Sequence, residues 1–182
     1  ASGFSELAVP DLHREAIREA VLNALVHRDY FLRQSIHLHL YEDRLEVSSP
    51  GGFIGGVTPE NILRHPPVRR NPLLADTLQK VGLVNRVGMG VDRIYEELLK
   101  LGKRVPFYEA NESHVRLALS TATNTGFAQF VAEESRAGRK LELDDLICLR
   151  ALCVRGHLDR WTAAKELQLG DDRASERLAS LR

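Results

Sequence analysis

The chain has 182 residues, 43% hydrophobic and 27% charged, the composition of a soluble globular protein that buries a core, not of a disordered segment. Lys plus Arg and Asp plus Glu balance at 25 each, so no global field draws the protein to nucleic acid or membrane, and any polyanion site must be local. No stretch approaches the roughly 20 apolar residues of a membrane span, and Cys148 and Cys153, five apart, suit a reduced thiol pair better than a disulfide framework, which together predict a cytoplasmic protein.

In chain order, Asp11 to Arg28 carries Ile17, Val21, Ala24 and Leu25 at the spacing of a helix lying on a core. "SIHLHLY" and "RLEVS" each alternate apolar and polar residues around Glu42 and Asp43, the pattern of a β-hairpin. "SSPGGFIGG" reads as a glycine-rich loop, and Thr58 with Pro59 as the cap and first turn of a short helix. Asn71 and Pro72 repeat that signal before "LLADTLQKVGL". "VGMGVDRI" opens a further helix that runs to Leu101 and stops at Gly102. "VPFYEA" and "SHVRLALST" read as two more strands, the second with Val115, Leu117 and Leu119 on one side.

Three units follow: residues 1–122 as the main domain, 123–140 as a connecting helix and linker, and 141–182 as three short helices. The start at "ASGFSEL" and the stop within the helix-like "ASERLASLR" are those expected of a piece of a longer protein.

The first helix spends one stripe on Glu19, Asn23 and His27. At about 100° per residue these fall within about 80° of one another, on the side away from Ile17, Val21, Ala24 and Leu25. A carboxylate and a carboxamide one turn apart can serve a metal–nucleotide complex: the amide oxygen ligates Mg²⁺ while the glutamate orients or deprotonates a water. A solvated helix face carries the same residues without any such role.

The glycine elements favour the first reading. "SSPGG" follows directly on a strand, where residues without Cβ let the backbone approach a ligand closely. "GMG" precedes a helix, and helix N-termini offer unpaired N–H groups and a favourable dipole to phosphate. Between them, Glu60 to Arg93 holds six basic residues against three acidic ones, a locally positive segment that includes Arg69, Arg70 and Arg86.

The order of these pieces, carried by "REAVLNALVHRDY", "DRLEVSSPGGF" and "TPENILRHPPVRRNPLLADTLQKVGLVNRVGMGVDRI", resembles the GHKL superfamily of gyrase, MutL and histidine-kinase ATPases. It is more similar still to the histidine-kinase-like module at the C-terminal end of RecG-like or AlbA/Schlafen-associated transcriptional regulators. The resemblance covers roughly residues 10 to 120. It implies an α+β fold, a two-layer α/β sandwich with a mixed, mainly antiparallel sheet, and ATP with Mg²⁺ held between the helix of Asn23 and a lid. It further implies Glu19 as the base, Asn23 as the Mg²⁺ ligand and His27 beside them. Gly51 and Gly52 fill the first glycine box, Gly88 and Gly90 the second, and Arg69 and Arg70 a triphosphate clamp. Ser49 stands where the superfamily has the Asp that accepts from the adenine amino group. The exchange replaces a charged acceptor by a neutral one and costs about 1–2 kcal/mol of binding. The implied activity is ATP binding with possible slow hydrolysis in a transcriptional or DNA-processing regulator. The alternative is a degenerate scaffold that no longer binds nucleotide and serves DNA binding or dimerisation.

"LDRWTAAKELQLGDDRASERLASLR" reads as a helix-turn-helix, a partial winged helix whose wing lies beyond Arg182. Trp161, Ala164 and Leu167 are expected to pack inward, with Arg173, Ser175, Glu176 and Arg177 exposed toward DNA. Asp171 and Asp172 favour the start of the last helix. From Ala137 onward, nine basic residues meet eight acidic ones, so the basic face usual in DNA-binding domains is faint. Packing or homodimerisation of these helices is the competing reading.

Three other motifs carry less. His27-Arg28-Asp29 lacks the downstream Asn and DFG of a protein kinase, His37 and His39 fit an ordinary polar strand face as well as a metal pair, and no P-loop is present.

Overall fold

A computed structural model describes residues 12–83 and 88–180; Asp11, Arg86 and Arg182, which carried expectations above, lie outside them. The first helix, α1, spans Arg14–His27. The hairpin follows as β1, His37–Leu40, and β2, Arg44–Pro50, so Ser48, Ser49 and Pro50 belong to the strand and not to the glycine loop. After a long excursion come α2, Pro72–Lys80, and α3, Gly90–Lys100. A second hairpin, β3 (Phe107–Ala110) and β4 (His114–Ser120), completes the sheet. Four helices end the chain: α4 (Thr125–Arg136), α5 (Leu143–Arg155), α6 (Arg160–Leu167) and α7 (Asp171–Ser180).

The sheet order is β1-β2-β4-β3, and every pairing among the described strands is antiparallel. Each hairpin is local, but the β2–β4 pairing joins residues about seventy apart and places the two glycine elements between the two central strands in sequence. Residues directly opposite share a face, so Leu45 with Leu119 and Val47 with Leu117 form one apolar layer. Ala16, Ala20 and Ala24 of α1 and Ile94 and Leu98 of α3 cover it. This is the two-layer α+β arrangement that the resemblance implied.

The apolar stripe of α1 differs from the expected one. Its sheet-facing row is Ala16, Ala20 and Ala24, small side chains that let the helix approach closely, while Val21 and Leu25 are only half-buried. The turn from one row to the other brings Glu19 inside, with 6% of its surface exposed. A solvated polar face is therefore excluded for Glu19.

A second cluster forms around Leu63, Tyr95, Leu99, Phe127, Val131, Leu146, Ile147 and Leu167. It is contributed by the excursion, α3, α4, α5 and α6, so α4 and the C-terminal helices share a core with the sheet-bearing part. The starts of α4, α5 and α6 are satisfied locally. Asn124 accepts from the Phe127 N–H at 2.9 Å, Asp145 from Glu142 at 2.9 Å and Asp159 from Thr162 at 2.7 Å.

Two sequence expectations fail in the helical parts. Thr58–His65 forms successive turns and no helix: the Asn61 carboxamide accepts from the Thr58 N–H at 2.8 Å and donates to the Gly56 carbonyl at 2.9 Å, closing the segment on itself. Trp161 is 58% exposed with the Arg160 guanidinium 4.4 Å over its ring, and Ala163 takes the inward position instead. Among the described residues no helix is long and apolar enough to cross a membrane.

Candidate functional site

A cavity of about 220 Å³ lies between α1 and the sheet, many times the roughly 10–15 Å³ that one water needs by the same measure. It is therefore a ligand-sized space and not a packing defect. Ala20, Ala24, Val47, Val115 and Leu117 make its apolar floor, and Glu19, Asn23, His27, Ser49, Arg69 and Arg70 bring polar groups to its walls. All ten residues expected at a nucleotide site, including Gly51, Gly52, Gly88 and Gly90, line it.

Gly90 locks the second glycine element to α1. A Cβ there would stand 3.0 Å from Asn23 Oδ1, 3.1 Å from Nδ2 and 3.2 Å from Glu19 Oε2. The start of α3 thus lies directly against the Glu19–Asn23 pair. Met89 offers no side-chain cap to α3, which leaves its first N–H groups and the positive end of its dipole at the cavity. Among the described residues nothing hydrogen-bonds the Asn23 carboxamide.

Glu19 has an elevated pKa. Burial raises it, and the charges of Arg93 and Arg18 offset part of that rise. Arg93 Nη1 is 3.6 Å from Glu19 Oε1, and Arg93 Nη2 is 3.4 Å from Glu15 Oε2. His27 sits at the cavity mouth with a lowered pKa, first through desolvation and then through the Arg70 charge. Ser49, 8% exposed, donates its hydroxyl proton to the Ala24 carbonyl at 2.8 Å. That bond fixes the hydroxyl and leaves its lone pairs as the acceptors turned to the cavity.

The first glycine element is built from non-local contacts. Gly51 has φ +90 and donates to the Ser113 carbonyl at 2.8 Å, and Gly52 donates to Glu112 at 3.2 Å. A Cβ on Gly52 would overlap the Asn111 carbonyl, so glycine is required by packing alone. Arg70 closes the loop from the other side: Nη1 reaches Asp29 Oδ2 at 2.9 Å and Nη2 the Gly52 carbonyl at 2.7 Å. Asp29 also accepts from the Phe31 N–H at 3.0 Å. Arg69 pairs with Asp76 at 2.9 Å. Both arginines expected to clamp phosphate thus line the cavity with their charges already partnered.

Sequence reasoning missed several groups. Asp29 anchors Arg70, Arg93 faces Glu19, and Asp92 lines the cavity with a carboxyl pKa raised by burial against the lowering effect of Arg64. Tyr108, also in the lining, has a buried hydroxyl without a partner among the described residues, and burial pushes its phenol far up. Only Asp29 had a local signal, its place two residues after the His27 stripe.

On the C-terminal side, Arg173 and Ser175 are exposed, and the Ser175 hydroxyl donates back to the Asp171 carbonyl at 2.8 Å. Arg177 corrects the expected exposed set. It is half-buried, 3.0 Å from Asp145 Oδ1 and 4.0 Å from Asp144 Oδ2 of α5. His37 and His39 lie on the open edge strand β1, rings 5.8 Å apart.

Known proteins can be set beside this geometry. The family model described as "Putative ATP-dependent DNA helicase recG C-terminal" matches residues 34–119, from the turn before β1 to the end of β4. The crystal structure of the DIP2311 protein from Corynebacterium diphtheriae superposes with a TM-score of 0.79 at 32% identity, over 96% of this chain and 37% of that one. The chain thus spans little more than a third of that relative's length. No curated protein matches.

Proposed function

We propose that the cavity between α1 and the sheet binds ATP with Mg²⁺ and that the domain works as a nucleotide-dependent regulatory module, a reading supported by the match of residues 34–119 to the model of the RecG C-terminal family. One observation carries this reading: the Asn23 carboxamide and the Glu19 carboxylate, on one face of α1, sit under Gly90 at the uncapped start of α3. A carboxamide without a partner among the described residues, a carboxylate and helix-start amides are the donors and acceptors a metal triphosphate uses.

Within that reading the apolar floor takes the purine ring and the Ser49 lone pairs accept from its edge. Asn23 offers its carboxamide oxygen to Mg²⁺, which when bound neutralises phosphate charge. Glu19 holds or removes a water proton, for which a raised pKa suits it. The partnered state of Arg70 gives it the task of shaping the glycine loop, so the positive end of α3 and Arg93 supply the remaining attraction to phosphate. Turnover is then slow, because Arg93 also holds Glu19 back. Exposed Arg173 and Ser175 of α7 are the groups offered to DNA in a cytoplasmic regulator, with a homodimer as the other use of the C-terminal helices.

A second reading is favoured by Ser49 and by the paired state of Arg69 and Arg70: a scaffold of the same fold that has given up nucleotide. Phosphate release separates the two. Glu19→Ala should abolish release while sparing affinity, and Asn23→Ala should remove the dependence on Mg²⁺. Indifference to both changes would refute the assignment of the α1 stripe.

A further inference from the structure

The segment Thr58–His65 separates the cavity from the C-terminal helices and is bound on both sides. Toward the cavity it presents Ile62, Leu63 and His65. Toward the helices, Leu63 is buried in the second cluster with Leu146 and Leu167. Its backbone is held by one side chain: Gln168 Oε1 accepts from the Leu63 N–H at 2.8 Å, and Gln168 Nε2 donates to the Pro59 carbonyl at 3.0 Å. Arg64 adds two further ties, from Nε to the Leu167 carbonyl at 2.8 Å and from Nη2 to Asp144 Oδ1 at 2.6 Å.

Gln168 ends α6 in the left-handed conformation, φ +54, alone among the described non-glycine residues. A glycine ends a helix there with less strain. The glutamine is therefore explained by its reach across to residues 59 and 63, and not by the helix it terminates. Asp144, which receives Arg64, lies beside Arg177 of α7 at 4.0 Å, so the same carboxylate meets the segment and the last helix.

We propose that Thr58–His65 is a coupling strap: through Gln168 and Arg64 it makes the order of the cavity wall and the order of α6 and α7 one equilibrium, so a ligand seated in the cavity tightens the C-terminal helices. The identity of that ligand rests on the nucleotide reading above; the strap does not. Linkage requires the effect to run both ways, so loosening α6 at Gln168 must loosen the cavity wall beyond the Leu63 N–H and the Pro59 carbonyl that it touches.

Amide hydrogen exchange on the whole chain tests this, with Gln168→Gly and Arg64→Ala as variants. Gln168→Gly relieves the backbone strain while cutting both strap bonds, which separates coupling from simple helix damage. Without ligand, each variant should speed exchange across residues 59–70 about tenfold, with α1 and β4 unchanged. Acceleration confined to Leu63 and the end of α6 would overturn the proposal. With Mg²⁺ and a non-hydrolysable ATP analogue, residues 160–180 should gain protection in the wild type and not in the variants. Equal protection in wild type and variants would overturn it also. If the wild-type chain takes up no analogue, the nucleotide reading fails and the ligand-free comparison still decides the strap.

Discussion

Gly90 faces Asn23 so closely that a β-carbon at Gly90 would stand 3.0 Å from the carboxamide oxygen and 3.1 Å from its nitrogen. Helix α3 begins this close to the Glu19–Asn23 pair because the residue has no side chain. The contact is tight but falls on the end of a side chain that can turn. Gly90→Ala should therefore leave the fold within about 1 kcal/mol of wild type, the helical gain offsetting the crowding. Asn23 and Glu19 move aside, and nucleotide affinity falls about tenfold or more by titration calorimetry. Unchanged affinity would show that the pair does not face the ligand.

Glu19→Gln tests the buried carboxyl. Its folded pKa lies above the ordinary 4.5, so the folded state holds its proton more tightly than the unfolded one. The stability this gives is complete below 4.5 and is lost as pH rises through the folded value. A neutral isostere avoids that loss, so the variant should melt higher than wild type at pH 8, with the difference closing toward pH 4. A variant that melts lower at pH 8 would mean that the pairing with Arg93 outweighs burial.

The Asp29–Arg70 pair should behave as one unit. It is half-buried and carries the Gly52 carbonyl with it. Asp29→Ala or Arg70→Ala should each cost about 1–3 kcal/mol, and the double variant little more than either alone. Additive losses from chemical denaturation would place the two residues in separate networks.

Much of the fold was legible because it is local. The alternations of β1, β2 and β4, the Asn71–Pro72 start of α2 and the stop of α3 before Gly102 are written in adjacent residues. Even there the mechanism differs. Asn71 stands at the N-cap of α2, yet its carboxamide donates to the Val26 and Arg28 carbonyls at 2.8 and 2.7 Å, tying α2 to the end of α1. The segment after Thr58 read as a helix because its cap signal is local, whereas Asn61 closes it on itself and Gln168, more than a hundred residues away, holds its backbone. Shorter separations, still beyond any local pattern, hid the partners of Arg70 and Arg177, whose charges suggested phosphate but met carboxylates of the chain itself. The cavity residues stood out through the order of the α1 stripe and the two glycine elements along the chain, since the stripe alone fits an ordinary solvated face.

Ser49→Ala should remove the bond to Ala24 at a cost of about 1 kcal/mol in stability, seen as a lower melting temperature. If the hydroxyl also meets the base, affinity for ATP drops while affinity for inorganic triphosphate does not. Equal losses for both ligands would move the base away from Ser49.

DNA contact by α7 predicts a binding constant that falls with salt in a gel-shift titration, with a shallower slope for Arg173→Ala. Arg177→Ala acts through Asp144 and Asp145 and should lower stability more than it changes that slope. Binding that ignores salt would exclude phosphate contacts.

The most direct measurement is calorimetric titration of the folded chain with ATP in excess Mg²⁺. A dissociation constant tighter than about 1 mM, weakened by Asn23→Ala and retained by Glu19→Gln, is the predicted result. A folded chain that gives no saturable heat at millimolar ATP would contradict the nucleotide site and leave the scaffold reading in its place.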